Sequence, residues 1–347
     1  MADLGERFAA YLARQWREAD EVRVAAFERI YGGASRETYR AAVQVRGPRG
    51  QSERRLILRR DPESSLIETD RANEYRAYVA FHGTRVPVPR PLVLETDPRW
   101  LDRPFFVMEE VVGAVSSAKL LAEPPYARHV ERLGEAKWRI LGEIAAADPA
   151  ALGLTEHLEA PPLEGCWRRE LEFWEGVIDE DELVPQPIAR AVIRRLRRRP
   201  PPAPRRLSVV HGDYRTGNFL FDAEGEIRAI LDWEMCHLGD PLEDLAWALD
   251  PIWSWPDRER PGKLIPRDRA LASWSAASGI AIDARALEWW ETFASLKGLA
   301  IWISSGREFA EGRNLDPILA LASWFPTDVH ERVLVERLAA EEDGDDS

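Results

Sequence analysis

The stretch Leu207–Asp250, LSVVHGDYRTGNFLFDAEGEIRAILDWEMCHLGDPLEDLAWALD, decides how this chain is read. An apolar run, Leu207–Val210, reads as a strand that ends on His211-Gly212-Asp213. A short loop then carries Asn218, and a turn through Ala223-Glu224-Gly225 leads to a strand ending Ile230-Leu231-Asp232. The polar residues therefore fall at the ends of apolar strands, where a rigid scaffold holds loop side chains in place.

Two carboxylates and an amide at this spacing suit phosphoryl transfer, which depends on positioning and charge neutralisation rather than on covalent chemistry. One carboxylate must take the proton of an acceptor hydroxyl, and separate hard oxygens must hold magnesium. Asp213 is the candidate base; Asn218 and Asp232 are the candidate metal ligands. The Asp-x4-Asn spacing suits a loop that turns once, so that both side chains face one metal-filled cleft. A lone His-Gly-Asp would carry little, because His and Asp often satisfy turn backbones. His211 reads as a structural hydrogen-bonding residue, and His237 as a satisfied or exposed histidine. Glu234 stays open between a second partner of the metal and an acid at a helix entry.

Working outward, the N-terminal side is mostly β. Residues 3–19 follow a helical period with Phe8, Leu12 and Trp16 on one stripe. Short β-like runs follow at 22–30, 38–45 and 54–60, then a helix over 68–82 that RVPVPRP (85–91) stops, then strands near 92–94 and 105–110. Beyond Gly113 the pattern is mainly helical, at 127–147, 164–177, 187–199, 241–249, 267–278, 283–304 and 327–340. The order predicts an α+β chain of two lobes, with residues 1–111 a small antiparallel β N-lobe and 112–347 a helical C-lobe. Ligands commonly bind in a cleft between such lobes.

Composition narrows the partners. The net charge of −13 argues against nucleic acid, whose phosphates need basic surface. The final EEDGDDS, with five of those negatives, reads as a solvated end. The arginines at 194, 195, 197, 198 and 199 read as a solvated helix end whose cations complement the helix dipole. No apolar run approaches the ~20 residues of a membrane span, and the N-terminus lacks the apolar core of a secretory signal. No membrane partner and a cytoplasmic location are therefore expected. Two cysteines far apart, Cys166 and Cys236, suit neither a disulfide framework nor a zinc site. Lysine is scarce: Lys119, Lys137, Lys263 and Lys297 only, none before position 119. Fourteen tryptophans read mainly as core. Nothing in the sequence sets an oligomeric state.

His211, Asp213 and Asn218 match the His-x-Asp-x4-Asn loop of kinases. The segments HGDYRTGNFLFD and ILDWEMCHLGDPLEDLAW resemble the central motifs of the aminoglycoside phosphotransferase family, of the protein-kinase-like fold. GGASRETY, LILRRDP, PFFVMEEVVG and GREFAEGRNLD add a likeness to the kinase domains fused to some acyl-CoA dehydrogenases, over roughly residues 20–325.

The resemblance implies a kinase that uses ATP and Mg2+ to phosphorylate a hydroxyl of a small molecule. A hydroxyacyl-CoA acceptor is favoured over an aminoglycoside, and ATP against GTP stays open. It implies a charge-stabilising role for Arg215 and a phosphate-binding turn at Gly33 and Ser35. Kinases place a lysine on the strand that LILRR forms; here Arg59 takes that place, with Arg60 the alternative and Glu74 the ion-pair partner. Met108 would back the adenine, with the backbone of Glu109 and Val111 bonding its edge. Relatives often carry histidine where this chain has Ala145. Trp302, Arg307, Arg313, Asn314 and Asp316 are candidates for an acceptor pocket.

Overall fold

The computed structural model describes residues 3–30, 37–48, 50–61 and 70–345. It divides into two compact units: residues 1–113 with 229–234, and residues 114–228 with 235–347.

The first unit is a five-stranded antiparallel sheet with a helix on each face. Its strands are β1 (Glu21–Ile30), β2 (Glu37–Gly47), β3 (Gly50–Arg60), β4 (Pro91–Glu95) and β5 (Phe105–Glu109), in the order β1-β2-β3-β5-β4. Alternation along the strands sorts the faces. Ala41, Val43, Leu56, Leu58, Phe105 and Val107 point to α1 (Leu4–Gln15), which answers with Phe8, Tyr11 and Leu12. Trp16, placed on the same stripe by its spacing, closes the helix and packs partly buried against that core. The opposite face carries Arg59 and Phe106, which are paired across β3 and β5. Phe106 meets Tyr75 and Tyr78 of α2 (Arg71–Phe81) at 5.9 and 5.8 Å between ring centres. Asp70 caps α2 by accepting the Ala72 N–H at 2.7 Å.

Residues 229–234, counted with the C-terminal lobe on sequence order, group instead with the first unit. The reason is local bonding. The Ile230 N–H donates to the Pro87 carbonyl at 2.7 Å, and Trp233 stacks on Phe81 with ring centres 4.6 Å apart.

The second unit is helical: α3 (Val130–Ala146), α4 (Cys166–Asp181), α5 (Pro187–Arg198), α6 (Pro241–Leu249), α7 (Arg267–Ser278), α8 (Ala284–Ala310), α9 (Pro317–Ala322) and α10 (Phe325–Asp345). Close packing of α3 on α7 depends on Gly142, where a Cβ would lie 2.6 Å from the Trp274 carbonyl oxygen. The long α8 buries Trp290, Phe293, Leu296 and Leu299. Burial of each such side chain stabilises the fold by about 1.5–3 kcal/mol. Short strands interrupt the helices: β6 (Ser208–Val210), β7 (Phe219–Phe221), β8 (Ile227–Ile230) and β9 (His237–Gly239). β6 pairs antiparallel with β9, and β7 continues into β8 through a turn in which Asp222 accepts the Glu224 and Glu226 N–H groups. Among the described residues no helix is long and apolar enough to cross a membrane.

Candidate active site

The loop from His211 to Asn218 leaves β6 through Gly212. That residue has φ 86°, and a Cβ there would sit 2.6 Å from the Met235 carbonyl oxygen, so only glycine fits. One buried carboxylate fixes the turn: Asp244 on α6 accepts the N–H groups of His211 at 2.5 Å and Gly212 at 2.9 Å. Burial raises the Asp244 pKa, and these two bonds oppose that rise. Lys297 on α8 donates to the Gly212 carbonyl at 2.7 Å. The fully buried His211 uses Nδ1 to accept the Asp213 N–H at 3.2 Å, a structural bond that shapes the loop.

Asp213 comes out of this turn with its carboxylate held by three side chains. Trp247 Nε1 donates to Oδ1 at 2.9 Å, and Asn218 Nδ2 donates to Oδ2 at 2.6 Å. Arg215 Nε lies 3.2 and 3.1 Å from the two oxygens, with its guanidinium carbon 5.2 Å from the centre of the Trp253 ring. Arg215 thus pairs with the candidate base itself. Asn218 spends its second amide hydrogen on the Asp213 carbonyl at 3.0 Å, which leaves Oδ1 as the atom for a cation. Trp247 was missed on sequence, because a tryptophan at helical spacing reads as core and the aim of its N–H is invisible there.

Below this loop Glu170, His237 and Glu243 bring ligand-type atoms within 4.8 Å of one another. Burial works against a charge on His237, but Glu170 and Glu243 outweigh it and raise its pKa to about 9. His237 then donates from both ring nitrogens, to the Met235 carbonyl at 2.9 Å and to Glu243 at 3.1 Å. Lys297 stands 3.6 Å from Glu243 on another side. The cluster is a compensated charge network beneath the Gly212 turn, and it offers no imidazole lone pair to a metal.

In the first unit the charges converge on Arg59. Its NH1 lies 2.7 Å from Glu74, and its NH2 lies 2.7 Å from Asp232. Burial disfavours the charge on Arg59, but Glu74 and Asp232 outweigh it and hold the group well above the ordinary arginine range. Glu234, in the short turn Trp233–Met235, adds to that field. Asp232 has φ 68°, a left-handed conformation uncommon outside glycine, and its N–H donates to the Tyr78 hydroxyl oxygen at 2.9 Å. The neighbouring Arg60 takes a different route. It pairs with Glu37, donates to the Leu101 carbonyl at 3.0 Å and lies over the Tyr39 ring.

Met108 is buried on β5 opposite Ile57. The Glu109 N–H is already given to the Arg90 carbonyl at 2.9 Å, so a ligand edge there has only the Glu109 carbonyl and the groups of Val111 to meet. Gly33 and Ser35 lie outside the described residues.

The C-terminal candidates are engaged locally. Trp302 Nε1 donates to His330 Nδ1 at 2.8 Å, Arg307 pairs with Asp181 and Glu311, and Arg313 pairs with Glu308 and Glu311. Asn314 Oδ1 accepts the Asp316 N–H, and Asp316 caps α9 through the Ile318 N–H.

The model of the phosphotransferase enzyme family matches residues 26–290. Among curated proteins, acyl-CoA dehydrogenase family member 11 of Gallus gallus is 30% identical over 206 residues, a match covering 58% of this chain and 25% of that one. The chain thus spans about a quarter of the length of that relative. A Ralstonia eutropha crystal structure assigned to the aminoglycoside phosphotransferases superposes with a TM-score of 0.72 at 20% identity, covering 96% of this chain and 98% of that one. A streptomycin–ATP–APH(2'')-IIa ternary complex superposes with a TM-score of 0.54 at 14% identity, covering 88% of this chain and 91% of that one. The two structural likenesses establish the protein-kinase-like fold.

Proposed function

The chain belongs to the phosphotransferase enzyme family, and from that premise we propose that it moves the γ-phosphoryl group of ATP to a hydroxyl group of a small molecule. The observation that carries this reading is the Asp213 carboxylate. It is fixed by N–H donors from Trp247, Asn218 and Arg215. An ionised carboxylate has about four acceptor sites, and because the single Arg215 Nε–H is shared between its two oxygens, these three donors leave one site for an incoming proton.

Asp213 takes the proton of the acceptor hydroxyl while that oxygen forms its bond to the γ-phosphorus. The bond from the γ-phosphorus to the bridging oxygen breaks, ADP leaves, and the proton passes from Asp213 to solvent. Arg215 follows the phosphoryl charge with its guanidinium, which is anchored on Trp253. The Arg59–Glu74 pair serves as the cation of the nucleotide phosphates, Met108 as the wall for the adenine, and the Glu109 carbonyl with the Val111 backbone as its edge.

The oxygens of Asn218 and Asp232 suit magnesium. The amide hydrogens of Asn218 are both committed to Asp213, so its oxygen is the available ligand atom. Asp232 adds a hard carboxylate. When bound, magnesium neutralises charge on the triphosphate.

A hydroxyacyl-CoA is the favoured acceptor, on the likeness to acyl-CoA dehydrogenase family member 11; an aminoglycoside is the alternative, on the structural neighbours. The test is ATP consumption with magnesium and a panel of 4-hydroxyacyl-CoA thioesters, aminoglycosides, choline and sugars. Phosphorylated product from an acyl-CoA supports the ordering, and product from aminoglycosides alone reverses it.

A second reading, a nucleotide-binding module without transfer, draws on the 2.7 Å pairing of Arg59 with Asp232, which engages one oxygen of the candidate metal ligand. It requires ATP binding with no turnover on any hydroxyl.

A further inference from the structure

We propose that Lys137 is a positioning residue for phosphoryl transfer, its amine bracing the catalytic loop through Thr216. This rests on the reading of residues 213–218 as that loop. Lys137 lies on α3 and is 0% exposed. Its Nζ donates to Thr216 Oγ1 at 3.4 Å and lies 4.6 Å from the centre of the Trp138 ring. Thr216 passes the contact on, donating to the Gly262 carbonyl at 3.2 Å. Lys137 also holds the loop by its main chain, since its carbonyl accepts the Tyr214 hydroxyl at 2.7 Å. One residue therefore grips the loop on both sides of Arg215, between Asp213 and Asn218.

The packing around the amine is tight. Gly262 has φ 64°, and a Cβ there would meet Nζ at 2.6 Å and Thr216 Oγ1 at 2.7 Å. The turn Pro261–Lys263 thus closes over the amine.

Among the described residues the Trp138 ring face offers a charge there only a weak cation–π contact. Among the described residues no carboxylate stands within ion-pair distance of Nζ. On α3 itself Glu143 is paired with Arg139; on α6 Asp244 is committed to the His211 and Gly212 N–H groups; on the covering turn Lys263 is exposed. Burial alone lowers the Lys137 pKa, to about 7. A methionine would fill much of the same volume without burying a polar atom, so for stability the amine is the costlier occupant. Among the described residues its hydrogen bond is to the loop. As the neutral amine it can donate to Thr216 at little cost. As an ammonium it needs acceptors that the site lacks, and it strains the loop that orients Asp213 and Asn218.

The test compares the unaltered 347-residue chain with Lys137→Met, Lys137→Gln and Thr216→Val, by two measurements. The first is steady-state transfer from ATP to the panel acceptor that the wild type turns over. The second is hydrogen exchange of the 213–218 backbone, which needs no acceptor. For Lys137→Met and Thr216→Val we expect kcat to fall about tenfold with KM for ATP unchanged, the worth of about one lost hydrogen bond. Loop amides should exchange faster while α3 and α7 keep their protection. Lys137→Gln, a neutral donor, should recover much of both. Wild-type kcat should decline as pH falls through about 7, and Lys137→Met should lack that limb. Wild-type kcat and wild-type loop exchange in Lys137→Met would overturn the proposal. Should Lys137→Met not fold, Thr216→Val decides by the same readouts. If the wild type phosphorylates nothing, the reading of Asp213 fails, and the exchange data alone decide whether Lys137 braces the loop.

Discussion

Arg59 in the first unit and Lys137 in the second are both buried cationic side chains, yet their surroundings are opposite. Arg59 meets Glu74 and Asp232 at 2.7 Å each, whereas Lys137 meets a hydroxyl and an indole face. The side-chain chemistry explains the division. A guanidinium keeps its proton at any working pH, so it must be buried with counter-charge. An ammonium can give up its proton, so it can be buried without one, at the expense of stability where it would be charged. On the proposed function the paired site would serve as a pH-indifferent anchor for phosphate charge, and on the further inference the unpaired site would serve as a pH-dependent brace.

The largest expected effect comes from breaking the paired site. Glu74→Ala removes one of the two carboxylates 2.7 Å from Arg59, and loss of one partner from a buried pair is expected to destabilise by about 3–5 kcal/mol. Chemical denaturation measures it; a loss below 1 kcal/mol, as for an exposed pair, would show that Arg59 is solvated after all.

Next is the pH dependence of the unpaired site. The Lys137 pKa is lowered from 10.5 to about 7 in the fold, so between those values the unfolded chain binds the extra proton. Its contribution to stability therefore rises with pH across that window and is flat below about 7. At 1.36 kcal/mol per pK unit the rise is on the order of 5 kcal/mol. Lys137→Met should remove this slope and be the more stable protein at pH 7. An unchanged slope would place the amine in contact with water.

A smaller effect is expected at Trp247, where phenylalanine keeps the ring and deletes the N–H that bonds Asp213 at 2.9 Å. A hydrogen bond to a charged group is worth about 1.5–3 kcal/mol, so kcat for Trp247→Phe should fall roughly 10- to 100-fold with folding retained. Least of all should come from Arg269→Ala, which removes exposed pairs with Glu131 and Glu135 on α3. Surface pairs contribute about 0–1 kcal/mol, and only a larger change would call the contrast between buried and exposed charge into question.

Much of the fold was legible in the sequence. Apolar spacing located α6 and α7 to the residue and the sheet strands to within a few. α9 and β9 escaped because six and three residues carry no period to read. The membership of residues 229–234 escaped because sequence order says nothing of Tyr78 and Phe81 as their neighbours. At the candidate site, Asp213, Asn218 and Asp232 stood out by spacing, and Arg59 and Glu74 through the family resemblance, read with the shortage of lysine. The residues that hold the loop from His211 to Asn218 did not. Trp247 looks like core until its N–H is seen to face Asp213. Lys137 and Lys297 look like surface cations until their burial, at 0% and 1% exposure, is seen. A linear pattern records which groups carry chemistry far better than which groups aim them.

The most direct measurement is phosphoryl transfer by Asp213→Asn, made beside wild type with ATP, magnesium and the acceptor panel. The amide keeps the volume of the carboxylate but is no longer a base for the acceptor proton. With Asp213 as the base, transfer falls about 10²- to 10⁴-fold while ATP binding and thermal stability hold. Transfer at the wild-type rate from Asp213→Asn would contradict that assignment.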